Sequence, residues 1–176
     1  MFKNGIERPL SEKREEIQIL AEELFKKIIG LDPKVRIDTK ERKGVQVFCC
    51  VPGSRNLLIL RVGEPSEAAQ FFSIEKAVRT DLSDDMTSDE SAEEKLCRFP
   101  GAVAFNGSKE ENPDLWVIVS TSGLLGAEDS VISCIIQGKI WGISPREIIA
   151  DLRGFRLSEG ITQEGHYLNA LIEEYS

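Results

Sequence analysis

The stretch Leu115–Thr121, LWVIVST, constrains the fold more than any other part of the chain. It is short, and it is apolar at consecutive positions rather than at alternate ones. Such a run belongs in the middle of a sheet, covered on both faces. A central strand needs partners, and the sequence supplies four. Phe99–Phe105 precedes it across a loop holding the turn formers Asn106-Gly107 and Asn112-Pro113. Upstream, Val35, Ile37 and Thr39 alternate with polar residues, and Gly44–Val51 (GVQVFCCV) is rich in β-formers. Glu41–Lys43 makes a charged turn between those two, and Pro52–Asn56 makes a plain turn before Leu57–Val62. Short strands joined by tight turns predict antiparallel pairing.

Helical periodicity fills the rest. Ile17, Leu20, Ala21, Leu24, Phe25 and Ile28 share one face of a helix that Ser11 can cap and Gly30 can end in a left-handed turn. A second helix enters at Pro65-Ser66, with Ala68, Phe71, Ile74 and Val78 on one face, widened by Ala69 and Phe72. A third follows Ser122–Gly126, with Glu128 and Asp129 in its first turn, where the helix dipole favours acids, and Val131, Ile132, Ile135 and Ile136 as its buried stripe. Ser144-Pro145-Arg146-Glu147 opens a fourth helix that Gly154 ends, and Thr162 opens a last one. Helices set against an antiparallel sheet define an α+β domain.

Charge and length exclude several classes. The 176 residues carry 22 basic and 30 acidic side chains, and a chain of that length reads as one domain. A net charge of −8 repels phosphate, which argues against nucleic acid and anionic membranes as partners. No apolar run reaches the roughly 18 residues of a membrane span. The first residues lack the apolar core of an export signal, so the four cysteines read as reduced thiols and the location as cytoplasmic.

Candidate chemistry is sparse. His166 is the one histidine, too few for a multi-ligand zinc site or a Ser–His–Asp arrangement, so no metal set and no catalytic set is expected. Adjacent strand residues Cys49 and Cys50 point to opposite faces, which makes at least one a packing thiol. Seven of the fourteen residues in Asp81–Glu94 are acidic, without the glycine and oxygen ladder of a calcium loop, and they read as a solvated loop or lid. The turn Thr121–Gly126 holds the most interesting backbone. A glycine turn from a buried strand into a helix leaves N–H groups that can hold an anion.

Arg98-Phe99-Pro100-Gly101-Ala102-Val103-Ala104-Phe105, a loop, Trp116–Gly123 and then Glu128-Asp129 together resemble the GlcG/HbpS/PduO C-terminal family. The Val45–Arg61 hairpin and Lys76-Ala77 in the second helix fall where that family has similar features. The resemblance implies a profilin-like fold, a five-stranded antiparallel sheet with helices on both faces, spanning residues 1–142. Residues 143–176 then form a C-terminal helical extension packed on the same domain. It also implies a homo-oligomer, with haem as the cofactor of some members. The function expected on this basis is a non-catalytic, homo-oligomeric domain binding a partner protein or a small ligand. The alternative is a haem- or tetrapyrrole-binding or haem-degrading protein. For the alternative, the pocket lies where Phe99–Gly101 and Ser122–Gly126 come together beside the second helix. The ligand-binding set is Arg61, Lys76, Phe99, Gly101, Ser122, Gly123 and Gly126, with Arg61, Arg98 or Lys76 offering charge to a propionate or phosphate.

Overall fold

A computed structural model of the chain describes residues 10–36, 38, 40–83, 85–107, 115–152 and 166–176. After a 3-10 turn at Leu10–Lys13 the elements run α1 (Arg14–Ile29), β1 (Gly44–Cys50), β2 (Leu57–Gly63), α2 (Glu67–Ser83), β3 (Ala102–Phe105), β4 (Val117–Ser122), α3 (Gly126–Trp141), α4 (Pro145–Asp151) and α5 (His166–Glu174). The strands form one antiparallel sheet in the order β2-β1-β4-β3. The LWVIVST run therefore lies inside the sheet, and all six residues of β4 are buried. Glycine at Gly30 does not end α1 in a left-handed turn, since its φ is −82°.

Pleating divides the side chains between two layers. Val45, Val47 and Cys49 of β1, Leu58, Leu60 and Val62 of β2, and Val117 and Val119 of β4 face α1 and α3 and form the main core. Ile148 and Leu152 of α4 and Leu168, Leu171 and Ile172 of α5 join that core. The opposite face is smaller, with Phe48, Ala102, Ala104 and Ile118 under Ala77 of α2. Helices thus cover both faces, as an α+β layer arrangement requires.

The strand expected around residues 35–39 is not among the four. Val35 sits in a turn and is 53% exposed, Arg36 and Asp38 belong to no strand, and Ile37 and Thr39 lie outside the described residues. Asn112-Pro113, Gly154 and Thr162 also lie outside them. The sheet is instead extended at its other end. Thr87 makes an isolated antiparallel bridge to Val103 on the outer edge of β3. Ser88 N–H donates to Ala102 O at 3.0 Å and Ala104 N–H to Met86 O at 2.8 Å. This overturns the reading of 81–94 as a solvated loop, because Thr87, Ser88 and Asp89 are buried. The acids at its ends misled, and Arg79 of α2 is the cause. Its guanidinium donates to Ser88 O, to Ser91 Oγ and to Phe99 O at 2.8–2.9 Å, and its Nε donates to Glu75.

Helix α2 reverses its expected face. Ser66 Oγ caps it by accepting the Ala69 N–H at 3.1 Å. The residues turned to the sheet are Ala69, Ser73, Lys76, Ala77 and Thr80, small or polar. Phe71, Ile74 and Val78 point outward and are 64%, 40% and 48% exposed. Polar pins fix this rotation, since Gln46 Nε2 on β1 donates to Gln70 O and to Ser73 Oγ at 2.9 and 2.7 Å.

Arg79→Met should release the segment it holds. Amide exchange across residues 86–101 is expected to rise about tenfold or more, given the usual worth of hydrogen bonds to a charged group. Exchange in β1 and β4, followed in the same hydrogen-exchange mass spectra, should stay unchanged, and an even rise along the chain would contradict this role.

Candidate functional site

Gly101 is where three elements close on one another. Its φ is +130°, a region side chains rarely enter, and a Cβ there would lie 2.6 Å from Thr121 O and 2.7 Å from Lys76 Nζ. Its carbonyl accepts from the Thr121 N–H at 2.9 Å and from Ser133 Oγ of α3 at 2.7 Å. The absent side chain lets Lys76 pass from α2 to the start of α3. There Nζ donates to Thr121 O at 2.8 Å and to Asp129 Oδ2 at 3.2 Å, with both side chains nearly sealed from water. Burial pushes the Asp129 carboxyl up, against the pull of Lys76.

The strand–helix turn is satisfied from within. Leu124 N–H donates to Asp129 Oδ1 at 3.1 Å and Leu125 N–H to Glu128 Oε2 at 3.0 Å. Two of the N–H groups that would cradle an anion are therefore taken, and the turn alone is no phosphate site. Glu128 also receives Arg36 in a two-pronged pair, Nε at 2.8 Å and Nη2 at 2.9 Å, together with the Tyr167 hydroxyl at 2.9 Å. This knot joins the segment before β1, the head of α3 and α5, and its bond to Glu128 holds the Arg36 guanidinium above its ordinary pKa.

Beside this framework lies an open cleft of about 1170 Å³. Lys76, Phe99, Ser122, Gly123 and Gly126 line it, so five of the seven expected ligand residues come together. Gly101 is buried and does not line the cleft. Arg61 is elsewhere, exposed on β2 with Nε donating to Gln46 Oε1 at 3.4 Å. Phe72 and Phe99 meet edge to face with centroids 5.0 Å apart and form an aromatic wall. Lys40, Arg42, Lys43 and Arg98 bring positive charge to the lining, and Glu41, Glu64 and Glu94 bring negative charge. Arg42 is committed to Asp38 at 2.6 Å, whereas Lys40, Lys43 and Arg98 carry no ion pair among the described residues. Position alone gave no signal for Arg36 or Arg79, whose partners are remote or made by loop backbone.

Donor chemistry in the cleft is limited. Its described lining holds no imidazole, thiol, thioether or phenol, so it offers no usual axial ligand to a haem iron. No group of three or more His, Cys, Asp or Glu is arranged for a metal among the described residues. Cys49 and Cys134 are buried and pushed far up by desolvation, and Cys50 is pushed up to about 11. Cys97 alone is exposed. No helix among the described residues is long and apolar enough to cross a membrane. Comparison with family models, with curated proteins and with solved structures gives no match.

Two outcomes follow from this geometry. Gly101→Ala should cost about 2–4 kcal/mol in urea melts, combining backbone strain with overpacking. Gly53→Ala, at φ +68° with open space around it, should cost only about 1–2 kcal/mol. Iodoacetamide at pH 8 should add one label per folded chain, mapped to Cys97 by peptide mass, with the other three thiols reacting only on unfolding.

Proposed function

We propose that the chain is a non-catalytic, homo-oligomeric binding domain that takes a small ligand with an apolar ring and an acidic group in this cleft. The single observation that carries the reading is convergence. Residues from four sequence segments meet around one cleft, with an aromatic wall at Phe72 and Phe99 and, at Lys40, Lys43 and Arg98, cations that carry no ion pair among the described residues. Burial of Cys49 and Cys134, which keeps those two thiols protonated, takes them out of nucleophilic chemistry. The profilin-like, GlcG/HbpS-like scaffold rests on the motif stretches, and the four-stranded antiparallel sheet with the Thr87 bridge beyond β3 is compatible with it. A tetrapyrrole is the second reading. It is favoured by a cleft larger than most small-molecule pockets, about 300–1,000 Å³, and its carboxylates rather than its iron would meet the protein.

Haemin and iron-free protoporphyrin IX are the probes. Saturable binding of one per chain is expected, with similar affinity for both because no iron ligand lines the cleft. Phe99→Ala and Arg98→Glu should each weaken it about tenfold, the usual worth of one stacked ring or one charge contact. Unsaturable uptake, or binding indifferent to both substitutions, would count against this occupant of the cleft.

A further inference from the structure

Ten large apolar side chains are well exposed among the described residues, and six of them lie on the α2 side of the sheet. Phe71, Ile74, Val78 and Leu82 form the outward stripe of α2, and Leu57 and Ile59 lie beside it on β2. Register sets Leu57 and Ile59 on the same side of the sheet as α2. Ile59 pairs with Phe48 and Leu57 with Cys50, on the sheet face that α2 covers. Exposures of 38–79% on side chains of this size leave on the order of 600 Å² of apolar surface in one patch, at the upper end of what a monomer carries. A standard interface needs about 800 Å² per partner, and homodimer interfaces are about two-thirds apolar. The patch with a narrow polar border meets both figures.

We propose that this face pairs with the same face of a second copy, α2 lying antiparallel on its partner's α2. The inference rests on the reading of the chain as a homo-oligomer and assigns the surface. Two features select a second copy in this mode. First, addition of a strand at β2 is obstructed. Its outer carbonyls at Ile59 and Arg61 already accept from Arg14 Nη2 at 3.2 Å and Gln18 Nε2 at 3.1 Å. Association therefore uses the face, not the edge. Second, the ends of the patch are opposite in sign. Arg61 stands at the end near Gln70, through its contact with Gln46, and Asp81 stands at the other end beside Cys50. A two-fold axis across the middle of α2 brings Arg61 of each copy towards Asp81 of the other, the self-complementarity an isologous interface needs. Glu67, in the first turn of α2, sits in the favourable field of its own helix terminus.

Sedimentation equilibrium on the full chain tests this from low to high micromolar concentration. Wild type should be a dimer, and Val78→Asp, at an outward position, should be a folded monomer with unchanged circular dichroism. Arg61→Glu and Asp81→Arg should each weaken dimerisation about tenfold, since the symmetry breaks two exposed pairs at once. The double variant should regain wild-type affinity. A wild-type monomer throughout would overturn the inference together with the homo-oligomer reading. An oligomer insensitive to Val78→Asp, or a charge exchange that fails to restore, would overturn the inference alone and leave self-association to another surface.

Discussion

Lys76 is the side chain on which the arrangement turns. It starts on the helix over one sheet face and ends at the head of the helix over the other, passing the only kind of residue that leaves room for it, Gly101. A buried ammonium without its carboxylate would be several kcal/mol out of balance, so Asp129 and Thr121 O are conditions of the fold rather than additions to it. Once Asp129 is placed, its other oxygen and the neighbouring Glu128 cap the turn into α3. Glu128 then fixes Arg36 and Tyr167. One ionic contact thus propagates through two adjacent acids to the segment before β1 and to the last helix.

The same chain of contacts explains what was legible in the residues. Strands and helices whose apolar pattern meets a large core read correctly: LWVIVST, GVQVFCCV, the Leu57 run and the stripe of α3. The errors fall where polar contacts decide. Periodicity marked Phe71, Ile74 and Val78 as one helical face, which they are, but it carries no sign to say whether that face turns in or out. The sign is set by Gln46, Ser73 and Lys76, long-range partners that periodicity does not register. Likewise Asp81–Glu94 looked solvated because acids dominate it, while the buried Thr87-Ser88-Asp89 in its middle is held by the edge of β3 and by one arginine. Of the expected ligand residues, those on the two motif stretches converged because both end beside Gly101. Arg61 did not, because its side chain is exposed on the edge strand and turns to Gln46.

Helix α2 has three duties on three flanks. Its inner flank is small and polar, which suits close approach to a sheet face where Ala102 and Ala104 leave little depth. Its flank towards Phe99 contributes Phe72 and Ala68 to the cleft. Its outer flank carries the apolar stripe. A helix with this division cannot be optimised as an ordinary amphipathic element, since burying the stripe against its own sheet would expel Lys76 and break the contact to Asp129. Helix rotation is thereby specified by charge, at the cost of leaving apolar surface in water.

That cost has a consequence for how the two proposed binding surfaces relate. The cleft and the stripe lie on adjoining flanks of a single helix, and the Phe72 ring of the cleft wall meets the Phe71 ring of the stripe edge to face with centroids 5.4 Å apart. They share a backbone pinned at Ser73 and Lys76, and any ligand pressing on Phe72 acts on the element that carries the stripe. Coupling between such sites has to appear equally in both directions, because it is one free energy. A cleft ligand that tightens dimerisation must bind the dimer more tightly by the same factor. The two surfaces are independent only if α2 does not shift when the cleft fills, and its buried ion pair at mid-helix is the feature that resists such a shift.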